Sequence, residues 1–517
     1  MAATSELEYI SDTGFDEVRT DPLVDGKAQA DSDMNVFCSK VYTRLSQTFQ
    51  AGTTRPLEYR RQQLKQLIRL LQENAPAFEE ALLHDLGKPR QEIDTEMSAT
   101  VDHYFFQLKY LDEWAQPTKP REVEDWRSGW NPTVYKQPKG LSLIIGPWNY
   151  PVVLLLGPLA GAIAAGCTCV VKGSELVPAM GTLLAALLPK YLDPTAYAYV
   201  NGGVRETTRM LEKRWAHIFF TGSERTGRVV AEAAAKHVTP VTLELGGKSP
   251  VIIAEDTDIE LAAKRVLYGK AQNSGQLCVS PDHVYVPRAK QDAFVAALLR
   301  VYKTFWPEGP FHEGSHWGNI INPAHHARIR GLLSRTKGDI VIGGYFDGEK
   351  RIAPTIVNNV RMDDSLMEEE LFAPILPIIP VQNVDEAIEI IRGRPKPLVL
   401  YLFSNNPDVK QTVMERTESG ALTLNDTYSH LAGAYSPAND LHSWIDRFLW
   451  TALENPFGGI GSSGYGSWAG KASFDTFTHH RGYVDVPFVE EPMMEFRYPP
   501  YTDEKRVIVS RPLRAKI

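Results

Sequence analysis

The chain has 517 residues, of which 43% are hydrophobic and 23% charged, with a formal net charge of −8. This is soluble globular composition, long enough for two or three domains, with no basic field for nucleic acid and no acidic block for a solvating tail. Four cysteines, Cys38, Cys167, Cys169 and Cys278, are too few for a disulfide framework at this length, so a reducing compartment is the default.

Residues 1–35 are rich in Asp, Ser, Thr and Ala and lack the apolar centre of a secretory signal, so a flexible lead is expected. Leu57, Leu64, Leu67, Ile68 and Leu71 form a helical stripe between Pro56 and Pro76, and helical patterns continue over 77–86 and 91–115. The stretch 116–140, rich in Pro, Trp and charge, reads as a crossing segment or arm. Residues 140–171 hold no charged side chain over 32 positions. Pro147, Pro151 and Pro158 interrupt the run, which parses as strand 141–146, a turn, helix 152–165 and strand 168–172. That is a βαβ unit buried on both faces rather than a membrane span. Cys167 and Cys169 then share one face of a buried strand. No CxxC pair, HExxH or histidine ligand spacing is found, so no metal site is expected. Trp215 to Gly222 reads as a strand, 225–236 as a helix, and strands and helices alternate from 241 to 425. The fold class is α/β with largely parallel sheets.

Glu244 lies in Leu243-Glu244-Leu245-Gly246-Gly247-Lys248. Cys278 closes Asn273-Ser274-Gly275-Gln276-Leu277-Cys278, 34 positions later. A thiol that attacks and a carboxylate that afterwards activates water suit a covalent mechanism. Such a thiol is expected to have its pKa lowered from about 8.5 by its surroundings. Asn149, in Gly146-Pro147-Trp148-Asn149-Tyr150-Pro151, follows a strand and could aim its amide at an oxyanion, a donor worth about 3–4 kcal/mol in a preorganised site.

Together these motifs resemble the aldehyde dehydrogenase superfamily. The likeness is nearly continuous from about residue 36 to 485 and points to the class 3 and fatty aldehyde dehydrogenase branch, including its fungal members. The resemblance implies a Rossmann-like dinucleotide-binding domain of 36–121 and 141–244. It further implies a catalytic domain of 245–455, an oligomerisation arm of 122–140 and 456–490, and a tail of 491–517. It gives Cys278 the role of nucleophile and Glu244 that of base, with Asn149 and the Cys278 N–H holding the oxyanion. Lys172 and Glu175, in Val170-Val171-Lys172-Gly173-Ser174-Glu175, would contact the adenosine ribose; Gly173 stands where the family carries Pro. Gly222, Ser223 and Gly227 would face the cofactor diphosphate at a helix N-terminus. Glu370 would take the nicotinamide ribose, and Phe372 would pack near the nicotinamide. Tyr150 and Tyr268 could line an apolar funnel. The implied cofactor is NAD, with NADP possible. The implied substrate is an apolar aldehyde, whether long-chain, apocarotenoid or aromatic, and the implied assembly is a homodimer. Two other classes stay open. A CoA-acylating dehydrogenase shares the Cys and Asn but usually lacks the glutamate, and a structural protein on this fold would tolerate loss of either.

Residues 427–455 depart from the family pattern by an insertion. Trp444, Ile445, Phe448, Leu449 and Trp450 fall at helical spacing there, as a cover for the substrate mouth or as ordinary packing. Arg497-Tyr498-Pro499-Pro500 resembles the linker before a membrane anchor, but no apolar span follows it. Lys505, Arg506, Arg511, Arg514 and Lys516 form a basic tail that could touch an anionic membrane. The ending Ala515-Lys516-Ile517 is a variant of the Ser-Lys-Leu peroxisomal address, so a peroxisomal or cytoplasmic location is expected.

Overall fold

A computed structural model describes residues 26–431 and 455–510. The helical pattern at Trp444 to Trp450 and the ending Ala515-Lys516-Ile517 lie outside the described residues. Helix α1 (Gly26–Gln50) begins inside the segment expected to be a flexible lead.

Three helices follow. α2 (Leu57–Glu73) buries Leu64, Leu67, Ile68 and Leu71, the stripe predicted from spacing. α3 (Ala75–Leu86) stops at Gly87, whose φ of 58° lets its N–H close on the Leu83 carbonyl. α4 (Arg90–Ala115) is less ordinary, because Glu96, Thr100, His103 and Gln107 are all among its buried residues. A buried polar line of this kind must be satisfied by partners.

β1 (Thr133–Pro138) belongs to the stretch read as an arm. The uncharged run then forms β2 (Ser142–Ile145), α5 (Val153–Ala165) and β3 (Cys169–Lys172), with β2 and β3 parallel. α5 is apolar on every side because the sheet covers one face and α2 and α4 the other. Among the described residues no helix is long and apolar enough to cross a membrane. Cys167 and Cys169 are both fully buried, though only Cys169 is inside the strand. The pattern continues with α6 (Pro178–Tyr191), β4 (Tyr197–Val200), α7 (Val204–Leu211), β5 (His217–Gly222), α8 (Glu224–Ala235) and β6 (Val241–Leu245). These strands lie parallel in the order β6-β5-β2-β3-β4.

A second sheet starts with β7 (Pro250–Ile253), α9 (Ile259–Ala271), β8 (His283–Pro287), α10 (Arg288–Phe305), α11 (Pro323–Arg335) and β9 (Asp339–Ile342). A short hairpin of β10 (Phe346–Asp347) and β11 (Arg351–Ile352) intervenes. Then come β12 (Thr355–Asn358), β13 (Ile375–Val381), α12 (Val384–Arg392), β14 (Val399–Phe403), α13 (Pro407–Arg416) and β15 (Ala421–Leu424). The seven-stranded order is β15-β14-β7-β8-β13-β12-β9, all parallel except β9. Two late strands return to earlier parts of the chain. β16 (Gly464–Tyr465) pairs antiparallel with β6, placing Gly464 opposite Glu244. β17 (Thr478–Tyr483) pairs with β1 in a separate two-stranded ribbon.

Candidate active site

The turns after β2 and β5, the end of β6 and the loop before β8 open onto one cavity of about 540 Å³. Such crevices beyond the carboxyl ends of parallel strands are where open α/β sheets bind ligands. Asn149, Gly222, Ser223, Glu244, Cys278, Glu370 and Phe372 all line it, so seven of the residues singled out from the sequence meet there.

The cysteine loop is held in an unusual conformation. Beyond α9 the backbone turns left-handed at Asn273 (φ 49°), Ser274 (φ 53°) and Gly275 (φ 73°). The first two carry side chains, at a cost of about 1–3 kcal/mol each, so their surroundings must impose the shape. The Asn273 N–H donates to Glu92 Oε2 at 2.7 Å and Ser274 Oγ to the Gly318 carbonyl at 3.0 Å. Asn273 Nδ2 donates to the carbonyls of Asn149, at 3.1 Å, and Gln276, at 3.0 Å. Asn149 Nδ2 donates to the same Gln276 carbonyl at 3.1 Å. One amide hydrogen of Asn149 is thereby committed, which leaves the other for the cavity.

The Cys278 sulfur is reached by its own N–H and that of Val279. Its acidity runs against the expectation from sequence. Burial first, then the carboxyls of Glu370 and Glu244, push the thiol up to about 12. The spacing of the motifs carried no information on which charges would flank the sulfur, and they are negative.

Glu244 is 2% exposed, and neither of its oxygens has a protein partner among the described residues. Burial alone raises its carboxyl well above the ordinary range. An orphaned buried carboxyl is costly unless water or a ligand completes it. Glu370 accepts from the Gly247 N–H, and burial pushes it up to about 8. It lies so close to Gly246 that a Cβ there would come 2.3 Å from Oε2, so a side chain at 246 would displace the carboxyl. Phe372, at φ 49°, meets Trp148 edge-on with ring centres 5.4 Å apart.

Ser223 caps α8 by accepting the Thr226 N–H at 3.4 Å. A Cβ at Gly227 would come 2.7 Å from Leu245 Cδ2, so glycine lets α8 lie flat on β6. Glu224 pairs with Arg228 one turn along, which partly neutralises it beside the cavity mouth. The free N–H groups at the start of α8 suit a diphosphate. Lys172 and Glu175 are not part of the cavity wall. Lys172, the last residue of β3, pairs with Glu175 at 3.1 Å. Gly173 has a local reason: a Cβ there would sit 2.5 Å from the Tyr199 hydroxyl. Donors, helix N-terminus and acidic groups together fit a dinucleotide. Among the described residues no group of three His, Cys, Asp or Glu is placed to hold a metal ion.

A second cavity of about 160 Å³ reaches Cys278 from another side. One face of α4 supplies Glu92, Thr95, Glu96, Ala99 and His103, and Tyr150, Tyr428, Phe457 and Trp468 complete the wall. Tyr150 thus lines a cavity. Tyr268 is 43% exposed on α9 and lines neither of these two cavities. Sequence reasoning missed the α4 face, although its spacing of three and four residues is a helical stripe. It also missed Phe457 and Trp468, which no local pattern ties to Cys278.

The aldehyde dehydrogenase family model matches residues 38–437. The chain belongs to the aldehyde dehydrogenase family. It is 42% identical over 466 residues to aldehyde dehydrogenase family 3 member A2 of Pongo abelii, covering 89% of this chain and 91% of the relative. It is 38% identical to a protein of Rattus norvegicus named aldehyde dehydrogenase, dimeric NADP-preferring, over 89% of this chain and 97% of that one. Among solved structures, the substrate-bound state of Staphylococcus aureus AldH matches with a TM-score of 0.84 at 35% identity, covering 91% of this chain and 98% of that chain. This aldehyde dehydrogenase is accordingly an oxidoreductase acting on the aldehyde group.

Proposed function

We propose that the enzyme oxidises an apolar aldehyde to its carboxylic acid through a thiohemiacetal and a thioester on Cys278. The observation that carries this reading is the position of Cys278, in the walls of both cavities, with the unpartnered Glu244 lining the larger. The smaller cavity receives the aldehyde among Tyr150, Tyr428, Phe457 and Trp468. Its aromatic walls favour a long-chain, apocarotenoid or aromatic group over a small polar one. Cys278 attacks the carbonyl, its own N–H and the free amide hydrogen of Asn149 hold the oxyanion, and the collapse of that oxyanion expels hydride into the larger cavity. NAD(P)⁺, when bound, supplies the hydride acceptor and a positive charge that favours the thiolate. Ser223 and the first turn of α8 would hold its diphosphate, Glu370 its nicotinamide ribose, and Lys172 with Glu175 its adenosine ribose. Glu244 then takes a proton from water as that water attacks the thioester. Its raised pKa makes it the stronger base for this step. Its presence also disfavours a CoA-acylating reaction, which would have no use for a water-activating carboxylate.

The two sheets serve as the dinucleotide-binding domain, ending near Glu244, and the catalytic domain beyond it. The exposed β17 strand of the β1–β17 ribbon and the rat relative's name support a homodimer. Glu244→Gln should keep a full NADH burst in a single turnover while steady turnover falls by about 10²–10⁴-fold. Cys278→Ala should show neither burst nor turnover. Wild-type steady turnover in Glu244→Gln would overturn the assignment of the base.

A further inference from the structure

The turn Gly87-Lys88-Pro89 between α3 and α4 takes no part in the chemistry above, yet it carries a fully buried cation. Lys88 and Glu96 have side chains that are 0% exposed, with Nζ 2.7 Å from Oε2. Lys88 Nζ also donates to the Asn149 carbonyl at 3.1 Å and sits 3.7 Å from the centre of the Tyr150 ring. The other Glu96 oxygen accepts the Val152 N–H at 2.9 Å, just where α5 opens. The hydrogen bonds and ring contact of these two side chains beyond each other thus fall on Asn149, Tyr150, Val152 and, at 3.4 Å, the Val153 N–H.

A buried ion pair is seldom more stabilising than apolar residues of the same volume, so stability is a weak reason for one here. It can do what an apolar pair cannot, which is to hold a particular carbonyl. The Asn149 carbonyl takes Lys88 Nζ on one side and Asn273 Nδ2 on the other. Both peptide and side chain of Asn149 are then fixed, since its amide is tied to Gln276 in the cysteine loop.

We propose that Lys88, neutralised by Glu96, is a positioning residue for aldehyde oxidation. It locks the Asn149 backbone so that the amide meets the oxyanion, and it presses the Tyr150 ring into the wall of the smaller cavity. The proposal rests on the reading of Asn149 as an oxyanion donor, and a double-mutant cycle separates the two. The rate of the NADH burst is measured for Lys88→Met, Asn149→Ala and the double variant. Asn149→Ala should slow the burst about 100-fold. Lys88→Met should slow it about tenfold, as a misplaced donor does. In the Asn149→Ala background the same Lys88→Met change should cost less than about twofold. KM for NAD⁺ should stay within about twofold throughout, because α8 and Glu370 are untouched. Lys88→Met leaves Glu96 unpaired in the interior and destabilises the fold. The cycle is therefore repeated with Lys88→Met/Glu96→Gln, which removes both charges and should behave alike, and with Lys88→Arg, which should recover part of the rate. Equal slowing in both backgrounds would show a merely structural pair and overturn the proposal. An unchanged burst in Lys88→Met would overturn it too. An unchanged burst in Asn149→Ala would instead remove the oxyanion reading beneath it.

Discussion

The two cavities that meet at Cys278 are made of different materials. The larger, about 540 Å³, is walled by Arg225, Lys248, Arg328, Glu369 and Glu370 and by turns at strand ends. The smaller, about 160 Å³, is walled by Tyr150, Tyr428, Phe457 and Trp468 against one face of α4. A charged ligand leaves water readily only where fixed charges and N–H groups replace its hydration, whereas an apolar one needs only surface to cover it. The difference suits the proposed placing of the two reactants on opposite sides of one sulfur. It also explains why the thiol is flanked by carboxyls: Glu244 and Glu370 belong to the charged side, and the thiol shares it.

Filling the apolar side puts the largest strain on this division. Val153 lines the smaller cavity only. Val153→Trp should lower kcat/KM for a long-chain aldehyde by about 10- to 100-fold, the cost of overfilling a packed site, with KM for NAD⁺ within about twofold. Steady-state kinetics with both substrates varied checks it, and equal losses for both would dissolve the comparison. A smaller effect is expected outside the charged cavity's wall, beyond β3. Glu175→Gln removes a carboxylate beside the expected position of a 2′-phosphate, so the ratio of kcat/KM for NADP⁺ over NAD⁺ should rise about tenfold. An unchanged ratio would place the ribose elsewhere.

The smallest effect tests the coupling between the sides. With Cys278 pushed up to about 12, alkylation by iodoacetamide without cofactor should climb about tenfold per pH unit from 7 to 10, without a plateau. Glu370, pushed up to about 8, is mostly neutral at pH 6.5 and mostly charged at pH 9.5. Its charge opposes the thiolate only at the higher pH. Glu370→Gln should therefore speed alkylation about threefold at pH 9.5 and scarcely at pH 6.5. A plateau below pH 9 would show that the thiol is not raised.

Much of the α/β order was readable because buried parallel strands are written as short apolar runs between turns, as in residues 140–171. The places of Asn149, Glu244 and Cys278 were readable for a related reason: each closes a strand or loop beside glycines. What could not be read depends on contacts between distant parts of the chain. Lys88 in Gly87-Lys88-Pro89 looks like a solvated turn residue until Glu96 and Asn149 surround it. The exposure of Tyr268 depends on what packs over α9, and the direction of the Cys278 shift on how deeply the loop is buried and then on where Glu370 folds back. Gly173 looked like a flaw in a motif, and only Tyr199 across the sheet gives its reason.

The pairing of β16 with β6 places a condition on when the enzyme can exist. Glu244 sits in a strand whose outer neighbour, Gly464, is synthesised about 220 residues later. At translation speeds of about 5–20 residues per second, that edge stays open for roughly 10–45 s on the ribosome. Trp468 and Phe457, which close the smaller cavity, arrive in the same late stretch. The nascent protein thus carries its thiol long before it has a finished wall around it. An electrophilic aldehyde met during that interval would find a cysteine whose pocket is not yet closed.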